Sequence, residues 1–154
     1  RGLEDDMLYL GALLHDIGKP ESQTKGEKDG RINMHYYGHP EKSLQLVKQE
    51  IVPTMEWNGE FLSETEKKRL FYYVAFHDDH VSFRKKHLRR HLKTASFEEF
   101  QKLMLLQTAD AKAHIQVPVI EERAQICEAL AGEYGRELYQ SIMEERKPQA
   151  DKRI

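Results

Sequence analysis

The chain has 154 residues, enough to bury one hydrophobic core but not two. Charged residues make up 32% of it and nearly cancel to a net charge of −2, which excludes any global attraction to nucleic acid or membrane, so a basic surface must be local. The single cysteine, Cys127, excludes an internal disulfide and fits a reducing compartment, so the expected location is cytoplasmic. No apolar run approaches a membrane span or a secretory leader core, although a chain beginning at Arg1 leaves upstream residues and a removed leader open.

Met7, Leu10 and Leu14 lie at i, i+3 and i+7, which predicts a core-facing helix over Leu3 to Leu14, ended by Gly18 and Pro20 just past His15-Asp16. Glu21 to Ile32 is polar, with Gly26 and Gly30 and no period, and predicts a long exposed loop of the kind that often serves as a lid. His39-Pro40-Glu41 reads as a helix start, with Leu44, Val47 and Ile51 on one face and Pro53 as the stop. Ser63-Glu64-Thr65-Glu66 is a capping box opening a helix in which Leu70, Val74 and His77 share a face. Ser96-Phe97-Glu98-Glu99 is a second, followed by Leu103, Leu106 and Asp110 on one stripe. After Pro118, Ile120 to Leu130 and Leu138 to Met143 predict two more helices, with Cys127 as a core thiol beside Ile126 and Leu130. The tail from Lys147 is expected to fray. Nothing alternates with period two, so the expected fold is all-α, one compact bundle of six to seven helices over residues 1–146.

An imidazole and a carboxylate side by side at the end of a buried helix, His15 and Asp16, cost several kcal/mol unless they bind something, and a divalent metal is the partner that suits both. His39, His77 and Asp110, each at or near a helix end, are further candidate ligands. Taken singly, Asp110 also reads as a hydrogen-bonded buried acid, His77 as a core histidine and His39 as a cap. Three histidines and two acids on helix ends or inward faces favour a shared ion. Nitrogen and oxygen donors without cysteine suit Mn, Ni, Fe, Co, Zn or Mg.

The second informative stretch, Arg84 to Lys93, holds six Lys and Arg residues, with Leu88 and Leu92 at i and i+4 as anchors. It reads either as a grip for a phosphate backbone or as a solvated face, and no aromatic interleaves with it to stack bases. Gly18-Lys19 is not a nucleotide-binding phosphate loop, because Pro20 follows and the earlier glycine is missing.

Taken in order, His15-Asp16-Ile17-Gly18-Lys19 after an apolar helix, a helix starting at His39, Val74-Ala75-Phe76-His77-Asp78 and Thr108-Ala109-Asp110-Ala111 resemble the HD superfamily of metal-dependent phosphohydrolases. Leu88-Arg89-Arg90 followed by Phe97 to Ala113 is similar, more narrowly, to the HD domain attached to bacterial tRNA nucleotidyltransferases and poly(A) polymerases. The resemblance runs from about Leu8 to His114. It implies that His15 and Asp16 are the naming doublet, with Asp16 bridging where two metals are held, and that Asp110 closes the first site. It matches His39 and His77 to the histidines of members with a second metal, with His80 ranked behind His77. It matches Lys19 to a lysine near the substrate phosphate, where a solvated loop lysine is the alternative. The family's first histidine lies on an upstream helix, whereas none of the fourteen residues before His15 is a histidine. The chain is therefore expected to be trimmed at its N-terminus, or to hold an incomplete first site.

The activity this implies is a phosphomonoesterase or phosphodiesterase acting on nucleotides or RNA ends through metal-activated hydroxide, with one or two divalent ions. Asp16 and Lys19 are the expected catalytic residues, while Lys19, Arg89 and Arg90 contact substrate. The alternative is a catalytically weak HD domain that presents residues 84–93 to RNA beside a tRNA nucleotidyltransferase-like partner domain. A third reading is a structural helical domain with a histidine-rich interior.

Overall fold

Two capping boxes set where two helices begin. Ser63 Oγ accepts the Glu66 amide at 3.2 Å while Glu66 Oε1 accepts the Ser63 amide at 2.9 Å. Ser96 and Glu99 repeat the exchange at 3.1 and 3.2 Å. Each cap satisfies donors that a helix start leaves unpaired and contributes about 1 kcal/mol.

The structure, a computed structural model, describes residues 6–16, 18–19, 23–28, 31–36, 39–57 and 59–146, with the backbone alone over 23–28, over 31–36 and at 39. Among these residues it is all-α in class, with seven α-helices: α1 Asp6–Leu14, α2 His39–Leu46, α3 Glu64–Phe76, α4 Lys85–Leu92, α5 Phe97–Lys112, α6 Pro118–Ala131 and α7 Glu133–Arg146. The tail expected to fray, 147–154, lies outside the described residues. No described helix is long and apolar enough to cross a membrane. The helices group into two compact units, Arg1–Asp79 and His80–Ile154.

In the first unit, α1 and α2 both pack on α3. Met7, Leu8 and Leu10 of α1, Val47 just after α2, and Leu70, Tyr73 and Val74 of α3 are buried. Each such large apolar side chain contributes about 1.5–3 kcal/mol over its exposed state. Gly11 lets α1 and α3 come together, because a Cβ there would lie 2.9 Å from the Tyr73 Cβ. Beyond α2 the chain widens into a π-type turn over Val47–Ile51 and then tightens to a 3-10 turn over Val52–Thr54, so Pro53 sits inside the last turn rather than stopping the helix ahead of it. A two-residue pair of strands, Glu56–Trp57 with Glu60–Phe61, turns through Gly59 at φ 83°. Trp57 Nε1 donates to Asp6 Oδ2 at 3.1 Å, tying this turn to the start of α1.

One sequence expectation needs correction here. The long loop over Glu21 to Ile32 is in large part an antiparallel hairpin, β1 Gln23–Lys28 with β2 Arg31–Tyr36, registered from Gln23 opposite Tyr36 to Lys28 opposite Arg31. Backbone pairing makes these strands, and their polar sequence carries no apolar alternation to announce it. The first helix ends at Leu14, as the sequence predicts, and His15-Asp16 lies in the turn that follows.

In the second unit, α5 packs most extensively on α6, α6 on α7, and α4 against α5 and α7. Leu88, Phe100, Leu103, Met104, Cys127, Leu130 and Ile142 are buried. Cys127 is the core thiol expected: burial pushes its pKa up, and its Sγ donates to Gln107 Oε1 at 3.4 Å. Leu88 is buried as expected, but His91 is buried beside it, edge-on to Phe100 at 5.4 Å, while Leu92 is only half-buried. Gln101 Nε2 donates to the carbonyls of Leu130, Ala131 and Gly132 at 3.3, 3.1 and 3.2 Å, satisfying groups that the end of α6 leaves unpaired. The turn into α7 is tight enough that a Cβ at Gly135 would collide with the Leu130 carbonyl.

Candidate metal centre

Two helices of the first unit end at the same place. His15 follows α1 and His77 caps α3. Each imidazole places Nδ1 on the carbonyl three residues earlier, His15 on Ala12 and His77 on Val74, both at 2.6 Å. A carbonyl only accepts, so both Nδ1 atoms carry the proton and donate it. That leaves Nε2 of each ring facing the Asp16 carboxylate, His15 at 3.0 Å from Oδ2 and His77 at 3.6 Å from Oδ1. The two rings meet edge-to-face with centroids 4.8 Å apart.

A neutral imidazole in this tautomer presents a lone pair to a carboxylate oxygen, and two such contacts repel. They become attractive only if a second proton or a metal cation stands between nitrogen and oxygen. Metal ligands commonly use this tautomer, the far ring nitrogen donating to a backbone carbonyl. Donors about 2.0–2.2 Å from one ion at ordinary coordination angles are roughly 3–3.5 Å apart, close to the spacings seen here. Both helix C-termini add partial negative charge, which favours a cation. The donor set therefore fits a divalent ion.

Lys19 Nζ lies 3.3 Å from Asp16 Oδ2, and the Lys19 amide donates to the Asp16 carbonyl at 3.0 Å. Burial by itself would raise the pKa of Asp16; a second proton on His15 and His77, donated to its oxygens, together with the charges of His15 and Lys19, outweighs it and holds the carboxyl well below its usual range. The turn is fixed from behind by Ser43, which is fully buried and whose Oγ accepts the Gly18 amide at 2.8 Å. The sequence reading missed Ser43. It sits 25 residues from Gly18, and a lone serine carries no local signal.

A model of the HD domain family matches residues 1–138. The chain belongs to the HD domain family. No curated protein and no solved structure matches it. HD domains bind divalent metals and are generally metal-dependent hydrolases, which implies a phosphate-ester substrate. In this HD domain the structure brings four of the expected site residues together, His15, Asp16, Lys19 and His77, all in the first unit.

His39 is the first residue of α2, and its side chain lies outside the described residues. Asp110 belongs to the second unit, half-buried on α5 one turn beyond buried Leu106. His80, ranked behind His77, is exposed. Arg89 and Arg90 lie on α4, Arg89 half-buried and Arg90 exposed. Arg89 and Lys85 both pair with Glu145 of α7, a partnership across 56 and 60 residues that no local pattern announces.

Proposed function

We propose that this HD domain is a phosphomonoesterase or phosphodiesterase acting on nucleotides or RNA ends, with divalent metal held by His15, Asp16 and His77. The observation that carries it is the pair of Nε2 atoms aimed at one carboxylate while both Nδ1 atoms are committed to backbone carbonyls. Each Asp16 oxygen faces its own imidazole, an arrangement by which the carboxylate would hold one ion or two. His39 and Asp110 are proposed as further ligands on their match to the family pattern.

When bound, the metal lowers the pKa of a coordinated water towards about 7 and neutralises charge on phosphoryl oxygens. Asp16 stays ionised to hold it, because its neighbours suppress protonation. The backbone bonds of His15 and His77 fix which ring nitrogen is presented, so no reorganisation is needed on binding. Lys19 stands beside Asp16 on a side chain one-third exposed, from where its ammonium can transfer to a substrate phosphate and stabilise developing negative charge. Arg89 and Arg90 would contact a longer substrate through residues 84–93.

Elemental analysis of protein purified without chelator, followed by hydrolysis of a generic phosphodiester, a phosphomonoester and a nucleotide panel, tests the reading. Bound metal at one or two equivalents with hydrolysis of at least one ester is the expected result. Metal without hydrolysis would favour the RNA-binding module, and no metal would leave a structural helical domain.

A further inference from the structure

The basic stretch on α4 is divided by its packing. Lys85 and Arg89 turn towards α7 and share the single carboxylate of Glu145. Leu88 and His91 turn into the core. Lys86, Arg90 and Lys93 recur at i, i+4 and i+7 and are all exposed, so they form one outward row roughly 10 Å long. At its N-terminal end stand two exposed aromatic rings. Phe83, three residues before Lys86, is 41% exposed, and Tyr134 at the start of α7 is 46% exposed. They touch each other, with centroids 4.6 Å apart and planes at 57°. The sequence of the basic stretch offers no aromatic, because one of these rings lies just outside it and the other comes from a distant helix.

A row of cations alone attracts any polyanion. A row of cations ending at exposed rings selects one whose bases are free to leave the stack, since every base has a flat face that an aromatic can cover. Duplex nucleic acid keeps its bases stacked and offers such a surface only its backbone. We propose that the Lys86, Arg90 and Lys93 row and the Phe83–Tyr134 pair form a binding surface for single-stranded nucleic acid, phosphates on the row and an unpaired base on the rings. The proposal deepens the reading of RNA ends as substrate and rests on it for the strand's purpose, but not for the binding itself.

Binding is therefore measured without metal, so that its failure is separate from a failure of hydrolysis. Fluorescence anisotropy in EDTA would follow a labelled single-stranded RNA of about 12 nucleotides, its DNA counterpart and the matching duplex. The expected result is tighter binding of either single strand than of the duplex. Phe83→Leu with Tyr134→Leu should weaken single-strand binding about 10-fold or more and leave the salt slope unchanged. Lys86→Gln with Lys93→Gln should instead flatten that slope by about 1.4, near 0.7 for each phosphate deprived of its cation. The wild-type comparison of strand with duplex needs no variant to fold. Absence of binding, equal affinity for duplex and strand, or unchanged affinity in the aromatic double variant would each overturn the proposal, the last leaving the row a general polyanion contact.

Discussion

Asp16 is faced by His15, His77 and Lys19, and Glu145 by Lys85 and Arg89, and the pKa of each lies below that of an ordinary carboxylate, yet they are opposite kinds of site. Glu145 is exposed; the hydrogen bond from Lys85 is the main cause of its shift, with Arg89 beside it. Its neighbours carry permanent charge, so the ion pair is complete. Asp16 is half-buried, and burial works against its charge. Its imidazole neighbours have spent their Nδ1 protons on the backbone and bring only Nε2. A carboxylate faced by cations is finished. One faced by two imidazole lone pairs beside a single ammonium still calls for a cation, and that distinction separates a candidate metal centre from a surface salt bridge better than distance does.

The largest effect should follow from Asp16→Ala, which removes the carboxylate that both imidazoles face. Bound metal and hydrolysis should fall by more than about 100-fold, beyond the 10 to 100-fold typical of outer partners, while circular dichroism stays helical. Unchanged metal content in that folded variant would break the contrast outright. His77→Ala should act in the same direction but less, lowering metal affinity about 10 to 100-fold in a titration. Chelation sharpens the same point thermally. With metal at about 100 times its Kd, wild-type protein should gain about 2.7 kcal/mol over protein in EDTA, and Asp16→Ala should gain nothing.

Gly11→Ala tests how far the centre depends on the contact behind it. Its Cβ would push against Tyr73, costing about 1–3 kcal/mol in a melting or denaturant measurement, with metal affinity falling as α1 and α3 part. Equal metal affinity would show that the two histidines do not need this close approach. The smallest effect should come from Glu145→Gln: a slight loss of melting temperature that disappears at high salt, with metal content untouched. Because the folded pKa of Glu145 is lowered, its stabilisation is present above the ordinary glutamate value and is lost as pH falls through the folded value. A pH and salt series of melting curves for wild type and variant would show that difference narrowing in acid.

What the sequence revealed and what it hid divide by range. Both capping boxes, the buried face of Leu70, Val74 and His77, and the core thiol Cys127 depend on residues within a turn or two, and the structure has them as read. The all-α class followed from the same periodicity. The β1–β2 hairpin was missed because alternation of apolar residues was the signal sought, and polar strands paired only by backbone do not give it. The Asp29-Gly30 pair between them, a dipeptide that two-residue hairpin turns favour, was the available cue. Ser43 behind Gly18 and Glu145 beside Arg89 were beyond reach, since each meets its partner only after distant segments have packed. Within the centre, the sequence named His15, Asp16, Lys19 and His77 but not the tautomer, which depends on the carbonyls of Ala12 and Val74.

Those two carbonyls belong to the last turns of α1 and α3, so the side chains that present nitrogen to the centre are also the ones that close the helices. Loading and fraying are then coupled: an ion held by Nε2 would strengthen the hold of Nδ1 on a carbonyl that each ring already meets. Amide hydrogen exchange in the final turns of α1 and α3 should slow together as the centre fills. Such a readout would report occupancy of the HD domain directly, with no substrate needed.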